Sequence, residues 1–392
     1  NQAALEKVQV HIPLKTMNRH GLIAGATGTG KTKTLQVIAE GLSKASVPVL
    51  LMDIKGDLSG LAAEGSNNAF ITDRMGKIGK EYLPAAYPVE LLSISEEKGV
   101  RLRSTVIEFG PVLMAKILGL NDTQEGVMSM IFKFCDDNAL PLLDLKDLIK
   151  VLQYVSNEGK QEIEKDYGKI STTSTGTILR KVIELQQQGA DLFFGEPSFD
   201  TDDLMRINSD GRGMINILRV IDMQRNPKLF STFMLGLLAE LYATLPEEGD
   251  MEKPKLVIFI DEAHLVFQEA SKALLQQIET VIKLIRSKGV GIFFCTQNPN
   301  DIPAGVLSQL GLKVQHALRA FTAKDRQAIK LVAQNYPLTD YYVVDEVITQ
   351  LGIGEEFISA LNEKGIPTPL VHTLMAPPQS RMDILTDEEM RA

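Results

Sequence analysis

Three continuous apolar runs recur along this chain: "VPVLLMD", "KLVIFIDEAH" and "GVGIFFCTQ". Runs of this length, interleaved with helical patterns, predict strands buried on both faces of a parallel sheet. Each run closes on polar residues: Asp53, then Asp261 and Glu262, then Gln297. Near the start, "HGLIAG" reads as a further strand end. After it Leu35, Ile38, Ala39 and Leu42 repeat at the i, i+3, i+4, i+7 spacing of an amphipathic helix. "YPVELLSI", "GRGMINILRV" and "VQHALRAF" read as additional strands. The fold class is α/β with a mostly parallel central sheet, and the polar strand ends should gather along one edge, where open α/β sheets bind ligands.

Between residues 66 and 205 the pattern turns helical. In "NDTQEGVMSMIFKFCDDN", Asp122 reads as an N-cap with Glu125 three residues on, and Val127, Met130, Ile131 and Phe134 come next at helical spacing. "LLDLKDLIKVLQYVSNEG" and "TILRKVIELQQQGA" read as further helices stopped by Gly. The expected organisation is a discontinuous core, 1–65 and 206–392, carrying a mainly helical insertion, 66–205. Toward the end "AKDRQAIKLVAQ" predicts a helix, "MAPPQSRM" an extended segment and "TDEEMRA" a frayed tail.

Composition changes this picture little. The chain has 392 residues, 44% hydrophobic and 23% charged, as ordinary globular proteins have. No apolar run approaches the ~20 residues that span a bilayer, so membrane insertion is not expected. The opening residues lack the layout of a signal peptide. Cys135 and Cys295 lie far apart in apolar stretches and read as buried thiols rather than a disulfide or metal set, which fits a reducing cytoplasm. The net charge of −9 removes any whole-chain electrostatic argument for nucleic acid, although a local basic patch such as "RLRST" or "DRMGKIGK" would still touch phosphates.

Chemistry enters with "GATGTGKT", which is Gly, four residues, Gly-Lys-Thr: the complete P-loop pattern, between a strand and a helix as it must be. The loop and the first helical turn, Gly25, Ala26, Thr27, Gly28, Thr29, Gly30, Lys31, Thr32 and Lys33, are the candidate nucleotide cradle. Their backbone N–H groups and the helix N-terminus favour an anion. Lys31 is placed for the β- and γ-phosphates of ATP, and the Thr32 hydroxyl for Mg²⁺. Asp261, ending a buried strand, is placed to hold the Mg²⁺ shell, and Glu262 to orient and deprotonate a water. Gln297 is positioned to sense the γ-phosphate or to cap a turn. His264 reads as packed at the strand end. Arg286 lies in the last turn of the helix "EASKALLQQIETVIKLIRSKG", roughly 25 Å along that helix from Glu269 at ~1.5 Å per residue. It is either a helix-terminal cation or an arginine finger serving a neighbouring subunit.

The order GATGTGKT, LLMDIKGDLSG, LVIFIDEAHLVF and IRSKGVGIFFCTQNPNDIP resembles the HerA–FtsK superfamily of P-loop ATPases, and most of all its bacterial HerA-like (YjgR-type) group. The resemblance implies a RecA-like core in which one other strand separates the P-loop strand from the strand ending in Asp261. It also implies catalytic roles for Lys31, Glu262, Gln297 and a trans-acting Arg286, with Asp53 near the metal beside Thr32 and Asp261. Members of the superfamily commonly form hexameric rings that move DNA, so self-association and DNA are the implied partners. An ATPase motor or switch acting on protein is the competing expectation.

Overall fold

Alternation along the strands sends successive side chains to opposite faces, and here both faces are buried. Leu22, Leu50, Met52, Ile258, Ile260 and Phe294 pack into one core, whereas Ile23, Val49, Leu51, Val257, Phe259 and Phe293 pack into the other. The computed structural model that shows this describes residues 8–222, 227–249, 251–267 and 272–391.

Ten strands form one sheet: β1 (Gly21–Ala24), β2 (Val49–Asp53), β3 (Val89–Ser93), β4 (Val100–Arg101), β5 (Ile215–Arg219), β6 (Leu256–Ile260), β7 (Val290–Thr296), β8 (Leu312–Gln315), β9 (Glu355–Ser359) and β10 (Val371–Leu374). Their order is β10-β9-β8-β1-β7-β6-β2-β5-β3-β4. From β8 to β4 every pairing is parallel, and only β8–β9 and β9–β10 are antiparallel. β7 lies between β1 and β6, the one-strand separation the resemblance implied. Three layers result. The helix Lys31–Lys44 buries Leu35, Ala39 and Leu42 against one sheet face, and the helices Val106–Ile117, Asp122–Asp137, Pro227–Thr244 and Lys272–Ile285 cover the other.

Four sequence expectations need correction. The boundary at residue 66 assigned β3 and β4 to the insertion, yet β3 pairs with β5 along its whole length, so after the helix Ala69–Ile78 the sheet continues to residue 101 and the run of helices without strands begins at Val106. Those helices share their core with the sheet: Phe109, Met128 and Leu148 belong to the same buried cluster as Leu50 and Ile258. The strand placed at "VQHALRAF" ends at Gln315; His316 N–H still donates to Ala24 O at 2.7 Å, and its buried side chain packs against the P-loop at Gly25. The cap placed at Asp122 is Asn121, whose side chain accepts from the Gln124 N–H while the Gln124 side chain accepts from Asn121 N–H. Asp122 and Glu125 occupy the first turn instead, where carboxylates favour the helix dipole.

The tail is anchored rather than frayed. Leu385 is buried, Arg381 donates twice to the Glu389 carboxylate, and that carboxylate accepts from Thr386 N–H. Cys135 and Cys295 are free and buried, as their apolar surroundings in the sequence predict. Among the described residues no helix is long and apolar enough to cross a membrane.

Candidate nucleotide site

The strand order delivers the site. β1, β7, β6 and β2 are adjacent and parallel, so their carboxyl ends bring the P-loop, Gln297, Asp261–Glu262 and the segment after Asp53 to one edge.

At the P-loop, Gly25 has φ 155°, and a Cβ there would sit 2.5 Å from the Cβ of His316, so only glycine fits. Gly25 N–H donates to Thr296 O and Ala26 N–H to Ala317 O, tying the loop to the strand ends on either side. The Thr29 hydroxyl closes the turn on Ala26 O at 2.7 Å. Lys31 opens the helix and folds back across the loop, with Nζ 2.7 Å from Gly25 O and 3.1 Å from Ala26 O. Burial, then the nearby Lys55 charge, lowers the Lys31 pKa. Thr32 is half-buried in the first turn. The side chain of Lys33 runs away from the loop, donating to Met382 O at 2.6 Å.

Asp261 and Glu262 come directly after β6, and both are buried. Glu262 has φ 45°, a left-handed conformation costly for a side-chain-bearing residue. Its Oε1 receives the Lys55 ammonium at 2.6 Å and the Gln297 amide at 3.4 Å. Its Oε2 lies 3.3 Å from His264 Nδ1, so His264 faces the site rather than packing at the strand end. Desolvation raises the Asp261 pKa, while for Glu262 the Lys55 and Gln297 contacts outweigh the burial that opposes them and lower it.

Asp53 has another task. Its Oδ1 accepts from Gly56 and Asp57 N–H, and its Oδ2 from Leu58 N–H, so the carboxylate caps the turn after β2. Burial, ahead of these bonds, lifts its pKa to about 6. A carboxylate spent on three backbone donors is a poor metal ligand, which removes the ground for placing Asp53 in the metal shell. Asp261 Oδ2 and Glu262 Oε2 differ: both are buried oxygens without a hydrogen bond. With the Thr32 hydroxyl, Asp261 supplies hard oxygens suited to Mg²⁺, and Glu262 Oε2 stays open to a water. Among the described residues no cluster of three or more His, Cys, Asp or Glu is poised for a metal. Mg²⁺ needs none, since it keeps waters and takes phosphate oxygens.

Arg286 comes after the helix Lys272–Ile285, in a single turn just before β7. It is exposed, and its charge acts on buried His20, which precedes β1. It therefore lies at the amino edge of the sheet, opposite the P-loop. The helix start read at Glu269 and Ala270 falls outside the described residues. The two basic segments read as phosphate contacts are largely engaged within the chain. Arg74 donates to Ile353 and Gly354 carbonyls, Lys77 pairs with Asp73, Arg101 bonds Ser95 O and Arg103 bonds Glu196 O.

Sequence reasoning missed Lys55 and His316. Lys55 stands inside "DIKGDLSG", but nothing in its spacing links β2 to the end of β6. His316 stands in a segment that reads as strand. Its role depends on β8 lying beside β1.

A family model described as "Helicase HerA-like C-terminal" matches residues 1–392. The DNA double-strand break repair helicases HerA of Sulfolobus acidocaldarius and Sulfurisphaera tokodaii are 22% and 24% identical over 78% of this chain. The chain spans only 56% of the length of either. Among solved structures, plasmid coupling protein TrwB bound to a non-hydrolysable ATP analogue superposes with a TM-score of 0.60 at 15% identity, covering 98% of this chain and 94% of that one. VirB4 of Thermoanaerobacter pseudethanolicus gives 0.55 at 15% identity, covering 95% and 91%. These likenesses concern the fold.

Proposed function

The chain belongs to the helicase HerA-like C-terminal family, and on that premise we propose that it is a Mg²⁺-dependent ATPase, the motor part of an oligomer that moves DNA. One observation carries the reading. Glu262 and Asp261 end a strand that lies a single strand from the P-loop strand, on the same edge of the sheet as Lys31 and Thr32.

The P-loop amides and Lys31 would bind the phosphates. Thr32 and Asp261 would hold Mg²⁺, which neutralises charge on the β- and γ-oxygens when bound. Glu262 would accept a proton from the attacking water, and Gln297, hydrogen-bonded to Glu262, would sense the γ-phosphate. Arg286 would complete a neighbour's site from the opposite sheet edge, which requires self-association in a ring, hexameric in the family's usual form. A cytoplasmic setting accords with the DNA reading. Support for DNA comes from the named relatives, since the basic segments of this chain are mostly occupied internally.

Steady-state hydrolysis and equilibrium nucleotide binding test this together. Lys31→Ala should lose ATP binding. Glu262→Gln should bind ATP with Mg²⁺ and cleave it about 10²–10⁴-fold more slowly, the usual contribution of a positioned base. Wild-type turnover in Glu262→Gln would remove that residue from the role. DNA stimulation that weakens steeply with salt supports a DNA track. Activity indifferent to DNA at low salt would favour a protein substrate.

A further inference from the structure

Lys55 has no assigned part in the proposed reaction, yet its ammonium touches both carboxylates that end β6: Glu262 Oε1 at 2.6 Å and Asp261 Oδ2 at 3.5 Å. Its own side chain is 35% exposed, but those of its partners are only 9% and 7% exposed. Attraction of this kind is weakly screened, unlike that of a surface pair.

The turn that presents Lys55 is built for the purpose. β2 and β6 are neighbours in register, Met52 opposite Ile260, so the turn leaving β2 emerges beside the acidic pair leaving β6. The chain then reverses through Gly56 at φ 76°, where a Cβ would meet Ile221 Cδ1 at 2.6 Å. The three N–H bonds to Asp53 fix this reversal, and Lys55 stands one residue before the glycine. Glu262 needs an external restraint. Its own backbone is in a strained left-handed conformation, and the Gln297 amide holds it only at 3.4 Å. With Oε1 taken by Lys55 and Gln297, Oε2 accepts no hydrogen bond from the described residues and has only the partly exposed His264 imidazole, Nδ1 3.3 Å away, beside it.

We propose that Lys55 is a positioning residue for Glu262: it fixes Oε1 from the neighbouring strand end and leaves Oε2 for the water that attacks the terminal phosphate. This rests on the ATPase reading above and adds a part to it. The shorter contact is to Glu262, so Lys55 acts through the base rather than through Asp261. An ordinary salt bridge joining two loops would stabilise the fold and leave the chemistry of Glu262 untouched.

The two roles separate in a double-mutant cycle on the full chain, with kcat, KM and ATP affinity measured for Lys55→Met, Lys55→Arg, Glu262→Gln and Lys55→Met/Glu262→Gln. The Lys55→Met protein should lose about 10–100-fold in kcat, part of what a positioned base supplies. Its ATP affinity should stay within about threefold of wild type, since only transition-state interactions are lost. Lys55→Arg, which keeps the charge and the fold, should recover most of the rate. In the Glu262→Gln background Lys55→Met should cost less than about threefold, because residues acting as a unit are non-additive. Unchanged kcat in Lys55→Met, or a full multiplicative loss in the double variant, overturns the proposal. So does a parallel loss of ATP affinity, which would make Lys55 a nucleotide-binding group. A wild-type chain that binds Mg²⁺-ATP without cleaving it overturns the ATPase reading itself, and this inference with it.

Discussion

At the scale of single residues, the support beneath the P-loop is as telling as the loop. His316 is fully buried, with Nε2 3.0 Å from the Thr34 hydroxyl and Nδ1 3.8 Å from Glu356 Oε2, itself fully buried. Desolvation lowers His316 to about 4 and raises Glu356 to about 8, so at neutral pH both are uncharged and the contact is no ion pair. These directions set the pH dependence of stability. Glu356 keeps its proton in the folded state, so the stability it contributes is present below about 4.5 and is lost as pH rises toward 8. His316 stays neutral, so its contribution is present above 6.5 and is lost as pH falls toward 4. The two oppose each other in mildly acidic solution, and above pH 6.5 Glu356 acts alone. Glu356→Gln should therefore gain on wild type by on the order of 1 kcal/mol between pH 6.5 and 8, read by urea unfolding at both values. A difference that does not change with pH would mean that Glu356 is ionised in the fold.

At the scale of elements, the P-loop helix is braced by the far end of the chain. Glu40, on the buried side of Lys31–Lys44, accepts from Gln379 N–H at 3.0 Å, Ser380 N–H at 2.9 Å and the Ser380 hydroxyl at 2.6 Å. Met382 O receives Lys33, and Leu385 N–H donates to the Ser59 hydroxyl. The last residues thus run as a strap across the helix that opens the nucleotide site. Glu40→Ala leaves three donors without their acceptor and should cost roughly 2–4 kcal/mol, as buried donors left unsatisfied do. Thermal unfolding would register the loss, and limited proteolysis should then cut between residues 376 and 391. A strap still protected in Glu40→Ala would show that Leu385 and the Arg381–Glu389 pair suffice.

At the scale of the molecule, the sheet separates two halves of one proposed site. β7 has seven residues, about 23 Å at ~3.3 Å each, with Arg286 before its first and Gln297 after its last. No side chain spans that distance, so a catalytic role for Arg286 requires an interface. Arginine fingers supplied in trans are worth about 10³–10⁵ in rate. Turnover per subunit should rise with protein concentration, and Arg286→Ala should abolish the rise while leaving ATP binding intact. Mixing Arg286→Ala with Glu262→Gln should restore part of the activity, since some interfaces then pair an intact arginine with an intact glutamate. Co-assembled mixtures that stay inactive would return Arg286 to the part of a helix-terminal cation.

The features that the sequence determined by itself are those that rest on local spacing. The P-loop, its helix, the buried strands and the acidic pair after β6 are set by short-range pattern, because glycine placement, helical periodicity and apolar run length are properties of neighbouring residues. Continuous apolar runs also foretold a sheet covered on both faces, as the two cores on either side of it show. The tertiary structure decided the features that depend on which strands lie side by side. Asp53 and Lys55 are two residues apart, and the turn gives one to backbone capping and sends the other to Glu262. His316 lies inside a run that reads as strand, yet with β8 beside β1 its side chain packs against Gly25. β3 and β4 join the sheet through β5, which lies more than a hundred residues further on. Long-range pairing of this kind leaves no periodic trace, since each partner looks the same in isolation whichever strand it meets.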